Sequence, residues 1–272
     1  MLSWLTNAFS GGLMQRALVE VLLLALACGP IGVWIVLYRQ SYAAESISHA
    51  MLPGLVVAAL VGAPLLLGAA GGVLAGAVAI GLAGRDERVG PDVAVAVAVT
   101  ALFGLGAVLA LSPAVPARLG ELLFGDLLGV SGGDLLEAAA VAVAVAVAVL
   151  LARRPLTVSG FDPAAARSLG SRPGRTETAL LILLALCTIT AVRGLGNLLA
   201  VALVVAPGAA ALNCTRRLGP ALGTSIGIGA LAGVAGLLVS YHWKVAAGAS
   251  VALCAIVLFA ATLLLSPRAA RA

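Results

Sequence analysis

Residues 41–54 read Ser-Tyr-Ala-Ala-Glu-Ser-Ile-Ser-His-Ala-Met-Leu-Pro-Gly, and this polar stretch joins one long apolar run to the next. It carries Glu45 and His49, and the whole chain has only two histidines. On a helix, residues four apart share a face with Cβ atoms roughly 5–6 Å apart, so this pair can contact one ligand or each other. A charged group in hydrocarbon costs about 2.5–3.5 kcal/mol on insertion scales, so such groups usually face a pathway or a partner. The stretch therefore predicts a polar site at or inside a membrane.

The composition around this stretch is that of an integral membrane protein. Of the 272 residues, 62% are hydrophobic and 10% are charged, and the mean hydropathy is +1.16. Soluble domains are about 45–50% apolar and about 25% charged. Because a spanning helix needs about 20 residues, little of the chain is left for a soluble domain. We therefore predict a single transmembrane domain over residues 1–272.

The apolar runs predict nine membrane-spanning helices in an all-α, polytopic protein. They lie at about 17–38, 41–61, 65–83, 92–111, 135–152, 178–192, 195–212, 221–241 and 245–265. Two of them contain alternating valine and alanine, at 93–97 and 141–149. A period of two normally indicates a strand, but an open strand cannot satisfy its backbone in lipid, so helix is favoured.

The basic residues predict the orientation of these helices. The connections after spans one, three, five and seven, together with the C-terminus, hold twelve of them, and the opposite side holds four. The twelve are Arg39, Arg85, Arg88, Arg153, Arg154, Arg167, Arg172, Arg175, Arg216, Arg217, Arg268 and Arg271, and the four are Arg16, Arg118, Arg193 and Lys244. The positive-inside rule places the N-terminus outside and the C-terminus inside. Because the basic residues are spread between apolar runs, the net charge of +5 does not indicate nucleic-acid binding.

Two connections between the spans carry structure of their own. A short apolar piece at 119–130 predicts an interfacial or re-entrant helix. The longest polar connection, at about 153–177, contains Asp162 followed by Pro163, a typical N-cap with proline at the first helical position. Gly170 is a plausible C-terminal stop. This cytoplasmic loop is expected to hold one short, exposed helix, which is either a docking element for a soluble partner or a plain surface loop.

Enzymatic sites are not indicated. The sequence has no HExxH, no GxSxG and no phosphate-binding loop, and two histidines exclude a three-histidine metal centre within one chain. The four cysteines are widely separated, so neither a disulfide framework nor a cysteine zinc site is expected. Glycines spaced four apart, at Gly223/Gly227 and Gly229/Gly233, indicate either close helix packing or a general bias towards small residues.

A path for a small solute or ion fits the polar residues better. Divalent transition metals accept imidazole nitrogen together with carboxylate oxygen, and Glu45 and His49 offer one of each. The alternative is a structural pair within the helix, and spacing alone does not separate the two. His242 lies at a span end beside aromatic residues, which favours an interfacial role over a ligand role. Asn197 opens the seventh span, where it caps the helix or lines the path.

Several motifs in register resemble one family of membrane proteins. The segment Ser48-His49-Ala50-Met51-Leu52-Pro53-Gly54 resembles the SHAxLPG signature of the zinc/manganese/iron-type ABC transporter permeases. The segments 28–32, 36–39, 196–203, 206–207 and 240–241 are similar to other parts of that family. Phe161-Asp162-Pro163 with Ala166-Arg167-Ser168-Leu169-Gly170 resembles its cytoplasmic coupling segment. The family usually has an aspartate four residues before the histidine, where this chain has Glu45.

This resemblance implies a type II ABC importer-like permease in a bacterial plasma (inner) membrane. It implies a permease homodimer, two cytoplasmic ATP-binding subunits that carry the ATPase activity, and an extracytoplasmic metal-binding protein that delivers the ion. Glu45 and His49 would bind the metal, and Ser48, Asn197 and His242 are further candidates for the path. The residues that would couple the permease to ATP hydrolysis are Phe161, Asp162, Pro163, Ala166, Leu169 and Gly170.

The predicted function is therefore ATP-driven import of a divalent transition metal, zinc or manganese first, by a chain that is not itself an enzyme. No bound cofactor is expected, since the metal is cargo and ATP is used by the partner. Two alternatives stay open: an ABC permease for a metal chelate such as a siderophore or cobalamin, and an ion-coupled secondary transporter. The predicted topology also places Glu45 and His49 towards the cytoplasmic end of their span.

Overall fold

A computed structural model describes residues 8–83, 91–112 and 125–265. Within these ranges every regular element is an α-helix. In chain order the helices are α1 Gly12–Leu37, α2 Ser41–Val61, α3 Leu65–Ala83, α4 Pro91–Ala110, α5 Gly132–Leu151, α6 Arg153–Phe161, α7 Pro163–Ser168, α8 Pro173–Leu195, α9 Asn197–Cys214, α10 Leu218–Trp243 and α11 Ala247–Leu265. The all-helical prediction is confirmed.

Long helices occupy the positions of the predicted spans. In the described part of the chain, six of them (α1, α2, α5, α8, α10 and α11) are long and apolar enough to cross a membrane. The helices α3, α4 and α9 carry shorter apolar stretches at Leu67–Gly76, Ala96–Ala110 and Leu199–Cys214. Both valine–alanine runs are helical, as α4 and α5. The count of nine spans and the orientation of the termini stay predictions.

The boundaries of some elements differ from the prediction. The first long helix begins at Gly12, and α8 begins at Pro173 instead of near residue 178, with proline in its first turn. The loop after α5 holds two short helices, α6 and α7, instead of one. The first half of the predicted piece at 119–130 lies outside the described residues, and its described half, 125–130, is not helical, so the helix predicted there is not found in that half.

The bundle is organised around α1, which packs against α5, α8, α9 and α10. Its middle and second half are almost wholly buried, including Trp34 and Ile31. Pro30 lies inside this helix without ending it. Lipid tails are as apolar as leucine, so helices in a membrane associate largely through close packing of small residues. The position of α1 thus determines where α9 and α10 lie, because both pack extensively against it.

The two glycine pairs of α10 have different explanations: one serves close helix packing, and the other reflects the general bias towards small residues. A Cβ on Gly233 would lie 1.8 Å from Cγ1 of Val21, and one on Gly229 would lie 3.2 Å from the Cβ of Ala25, so both glycines serve the contact with α1. Cβ atoms on Gly223 and Gly227 would meet nothing within 4 Å among the described atoms. Close packing explains one pair and the compositional bias explains the other.

Candidate metal site

The site is built on the N-terminal part of α2, with Glu45 in the second turn and His49 in the third. Nε2 of His49 lies 3.7 Å from Oε1 of Glu45, across one helical turn. Hydrogen bonds of this type measure about 2.7–3.2 Å, so the two side chains face each other without a direct hydrogen bond. The side chain of Glu45 is 58% exposed and that of His49 is 21% exposed. A carboxylate and an imidazole are thus held side by side, with one open approach to the carboxylate.

This spacing is close to that of two ligands on one ion. Bonds of about 2.0–2.2 Å to nitrogen and oxygen would place the two ligand atoms roughly 3.0–3.4 Å apart. The distance of 3.7 Å between Nε2 and Oε1 therefore needs only a small rotation of the exposed Glu45 side chain to reach that range. The arrangement suits a cation shared between the two groups.

A packing contact with α4 holds the imidazole of His49 in place. The His49 ring meets Phe103 of α4 edge to face, with ring centroids 4.9 Å apart. Its Nδ1 atom is buried and has no hydrogen-bond partner among the described residues. A buried polar nitrogen that is left unpaired costs free energy. The ring is therefore fixed by packing. A ligand can reach it only from the side of Nε2, which faces Glu45.

Glu45 and His49 open into a cavity of about 560 Å³ between three helices. Helix α2 supplies Ser41, Tyr42, Glu45 and His49; α9 supplies Val201, Ala202, Val205, Ala206 and Ala209; and α11 supplies Ile256 and Phe259. Glu45 is the only carboxylate among these lining residues. A single negative group in a mainly apolar wall favours a cation over an anion, and the small residues of α9 leave the space for it.

The described residues supply only part of a coordination shell. Among the described residues there is no group of three or more His, Cys, Asp or Glu side chains that could hold a metal ion. Divalent transition metals take at least four ligands. An ion held by Glu45 and His49 would therefore need further ligands from water, from the backbone or from groups outside the described residues.

The other predicted path residues are not among those that line this cavity in the described part of the structure. His242 lies in the last turn of α10 with its ring against Tyr241, at a centroid distance of 5.1 Å, and it is not among the residues that line the cavity. Ser48 is in α2 and Asn197 is the first residue of α9, but their side chains lie outside the described part of the structure. The roles of all three stay predictions.

Sequence reasoning missed most of the cavity wall. The alanines at 202, 206 and 209 recur at helical spacing on α9, a signal of small residues on one face. Ile256 and Phe259 of α11 carry no such signal, because an apolar residue in an apolar span looks the same whether it faces lipid or a cavity.

The predicted coupling segment has the expected local structure. Oδ1 of Asp162 accepts hydrogen bonds from the backbone N–H groups of Ala164 at 3.0 Å and Ala165 at 2.9 Å. Pro163 opens α7, and Gly170 has a φ of +77°, which ends the segment in the left-handed region. Phe161 is 66% exposed and Leu169 is 73% exposed, whereas Ala166 is buried. Two large apolar side chains thus flank a short capped helix on the surface.

Comparisons with known proteins agree along nearly the whole chain. Residues 10–266 match the ABC 3 transport family. The chain is 36% identical to the manganese transport system membrane protein MntC of Halalkalibacterium halodurans, over 94% of this chain and 88% of that protein. It is 31% identical to a probable iron transport system membrane protein of Haemophilus influenzae, over 93% of both chains.

A solved structure shares the same architecture. PsaBC from Streptococcus pneumoniae, determined in complex with a Fab, superposes with a TM-score of 0.90 at 27% sequence identity, over 98% of this chain and 97% of that chain. An inward-facing structure of the metal-chelate ABC transporter type superposes with a TM-score of 0.73 at 13% identity, over 92% and 85% of the two chains, and shares the fold alone.

Proposed function

Because the chain belongs to the ABC 3 transport family, we propose that it is the membrane-spanning permease subunit of an ATP-driven importer for a divalent transition metal ion. It is a multi-pass protein of the bacterial inner membrane. The observation that carries the proposal is the Glu45–His49 pair, which faces a cavity between α2, α9 and α11. The relatives named for manganese and iron favour those ions over zinc as the cargo.

The chemistry of the pair suits transient binding of such an ion. Imidazole and carboxylate together accept manganese, iron or zinc, and neither group selects strongly among them. A translocation site must release its ion as readily as it accepts it, so two protein ligands completed by water are sufficient. The exposed side of Glu45 also leaves a position for ligands from a second copy of the chain. We therefore propose a homodimer with the path between the two copies.

The energy for transport would come from other subunits. The capped helix α7, with Phe161 and Leu169 exposed on either side, offers an apolar contact surface to a cytoplasmic ATP-binding subunit. Closure of that subunit on ATP would move the segment Phe161–Gly170 and change access to the metal. An extracytoplasmic metal-binding protein would deliver the ion at the opposite end.

The proposed orientation, with the N-terminus outside and nine spans, is consistent with long-range contacts. The hydroxyl of Tyr38 donates a hydrogen bond to the carbonyl of Leu156 at 2.9 Å, so the end of α1 and the loop after α5 lie on one side of the bundle. The end of α1 is followed by Arg39, and the loop after α5 carries several arginines, including Arg153 and Arg154. The positive-inside rule then assigns this side to the cytoplasm.

The test is metal-resolved uptake in cells that lack this chain and carry it back on a plasmid. Accumulated manganese, iron and zinc are measured by mass spectrometry for the wild type, Glu45→Ala and His49→Ala. We expect each variant to lose at least about 90% of the uptake of the transported metal, as loss of one of two ligands implies.

His242→Ala tests the other histidine, a candidate path residue that does not line this cavity. It is expected to keep wild-type uptake at equal protein levels in the membrane. Unchanged metal uptake in both Glu45→Ala and His49→Ala would refute the site. Uptake of a metal chelate that persists in those variants would favour the chelate permease, and transport without any ATP-hydrolysing subunit would favour a secondary transporter.

A further inference from the structure

The turn at residues 38–40 joins α1 to α2 and stands five residues before Glu45. It is bonded to two elements that are far away in sequence. The hydroxyl of Tyr38 donates to the carbonyl of Leu156 in α6 at 2.9 Å, across 118 positions. The side-chain amide of Gln40 donates a hydrogen bond to Oε1 of Glu177 in α8, across 137 positions. Helices α6 and α8 are the two elements that flank the proposed coupling segment Phe161–Gly170.

Packing reinforces the first of these bonds. A Cβ on Gly160 would lie 2.8 Å from Cε2 of Tyr38, so the aromatic ring rests directly on the backbone of α6 next to Phe161. The ring also meets Trp34 of α1 edge to face, with centroids 6.4 Å apart. Tyr38 is therefore held between the core of α1 and the last turn of α6, where the coupling segment begins.

The second bond reaches the metal-site helix through the backbone. The carbonyl of Gln40 accepts the N–H of Ala44, the first hydrogen bond of α2, at 3.0 Å. The N–H of Gln40 donates to the carbonyl of Ile35 at 2.8 Å, which ties the same residue to the end of α1. Arg39, which precedes Gln40 in the turn, has a φ of +58°, a left-handed conformation that an arginine rarely adopts. When Gln40 moves, the first turn of α2, which ends next to Glu45, is thus expected to move with it.

Open space lies beside this connection. A cavity of about 630 Å³ is lined by Tyr38, Arg39, Ser159, Phe161, Arg167 and Glu177 among others. The turn 38–40 is therefore attached to α6 and α8 by specific contacts but is not surrounded by packed side chains on that face. The open space permits the turn 38–40 to move together with α6 and α8, and the hydrogen bonds determine the direction of that movement.

We propose that the Gln40–Glu177 and Tyr38–Leu156 hydrogen bonds transmit movement of the coupling segment to the metal-site helix α2. Gln40, Glu177 and Tyr38 would act as positioning residues, since none of them lines the cavity that contains Glu45 and His49. The inference rests on the proposed function and adds the route by which ATP hydrolysis reaches Glu45 and His49.

The test uses the permease purified with its own ATP-hydrolysing subunit and reconstituted in liposomes. Uptake of radioactive Mn²⁺ and hydrolysis of ATP are measured in the same samples for the wild type and for Gln40→Ala, Gln40→Glu, Glu177→Ala and Tyr38→Phe. We expect each variant to retain the ATPase subunit and its ATP hydrolysis but to take up at least about fivefold less Mn²⁺ per ATP. Tyr38→Phe keeps the ring on Gly160 and removes only the hydroxyl, so it separates the hydrogen bond from the packing.

The double variant Gln40→Glu with Glu177→Gln provides the rescue. Glutamine and glutamate have the same size, so the exchange restores an amide–carboxylate hydrogen bond with donor and acceptor reversed. Recovery of at least half of the wild-type Mn²⁺ per ATP supports the proposal, even if a single variant fails to fold. Wild-type coupling in all single variants, or no recovery in a folded double variant, overturns it.

Failure of this inference and failure of the proposed function give different results. If Mn²⁺ uptake requires Glu45 and His49 while the Gln40 and Glu177 variants remain fully coupled, only the route through residues 38–40 is wrong. If the wild type takes up no manganese, iron or zinc under ATP hydrolysis, the proposed function and this inference both fail.

Discussion

Gly32 of α1 lies so close to Val204 of α9 that a Cβ on Gly32 would stand 1.9 Å from the carbonyl oxygen of Val204. One turn further along α9, a Cβ on Gly208 would stand 2.4 Å from the carbonyl carbon of Gly32. In both cases the obstructing atoms belong to the backbone, which cannot rotate away as a side chain can. Because α9 also forms a wall of the cavity that contains Glu45 and His49, this contact sets the distance between the central helix and that wall.

Alanine at either of these glycines is therefore expected to destabilise the protein. Overpacking in a filled core costs about 1–3 kcal/mol, and here the added methyl group forces two helices apart. We expect Gly32→Ala and Gly208→Ala to lower the thermal unfolding midpoint of the detergent-purified protein and to reduce metal uptake. Gly227→Ala is the control, because its Cβ would meet no described atom within 4 Å. A midpoint for Gly32→Ala equal to that of the control would contradict the close contact.

Changes at Glu45 should separate charge from length. Glu45→Gln keeps the size of the side chain but removes the negative charge, so we expect at least a tenfold loss of Mn²⁺ uptake. Glu45→Asp keeps the charge and shortens the side chain by one methylene, so it is expected to retain uptake and to alter the ratio of manganese to zinc. Competition between the two ions in whole cells measures that ratio. Equal uptake by Glu45→Gln and the wild type would show that the carboxylate is not a ligand.

The N-terminal cap of α7 depends on one side chain, that of Asp162. Asp162→Ala removes the acceptor for two backbone N–H groups, a change that typically costs about 1 kcal/mol. Because α7 has only six residues, this loss should melt the helix and weaken retention of the ATP-hydrolysing subunit during purification. Asp162→Asn keeps an acceptor and should retain the subunit.

A matched control for this prediction is Ser131→Ala. Ser131 caps α5, where its hydroxyl accepts the N–H of Asp134 at 3.3 Å. Ser131→Ala removes a helix cap of similar energy, but α5 lies outside the coupling segment Phe161–Gly170. Retention of the ATP-hydrolysing subunit should therefore not change. Equal loss of the subunit in Ser131→Ala and Asp162→Ala would attribute the effect to general instability.

Tyr38 is expected to remain neutral well above physiological pH. Burial and the nearby Glu177 carboxylate raise its pKa from 10.0 to about 12, because both disfavour the phenolate. Since the pKa of Tyr38 is raised in the folded protein, the hydrogen bond from its hydroxyl to Leu156 contributes fully to stability below pH 10. This contribution is lost as the pH rises through about 12, because the phenolate has no proton to donate. Phenolate absorbance of the wild type and of Tyr38→Phe should therefore coincide up to about pH 11. A difference that develops near pH 10 would contradict the raised pKa.

The sequence alone determined those features that depend on local energies. Hydropathy and the cost of an unpaired backbone in lipid predicted helices even for the valine–alanine runs of α4 and α5, and the Asp162–Pro163 pair with Gly170 predicted a short capped helix. Helical spacing predicted that Glu45 and His49 share a face. These predictions needed only neighbours within a few residues, and the helices, the cap and the shared face are all present in the structure.

Tertiary structure decided what lies opposite those faces. The cavity formed by α2, α9 and α11, the Gly32–Val204 contact and the bonds of Tyr38 and Gln40 join positions that are far apart in sequence. In a chain with 62% hydrophobic residues, an apolar side chain directed to lipid and one directed to a cavity have the same sequence pattern. Only the packing of small residues between helix backbones selects which faces meet, and that selection is made by the fold as a whole.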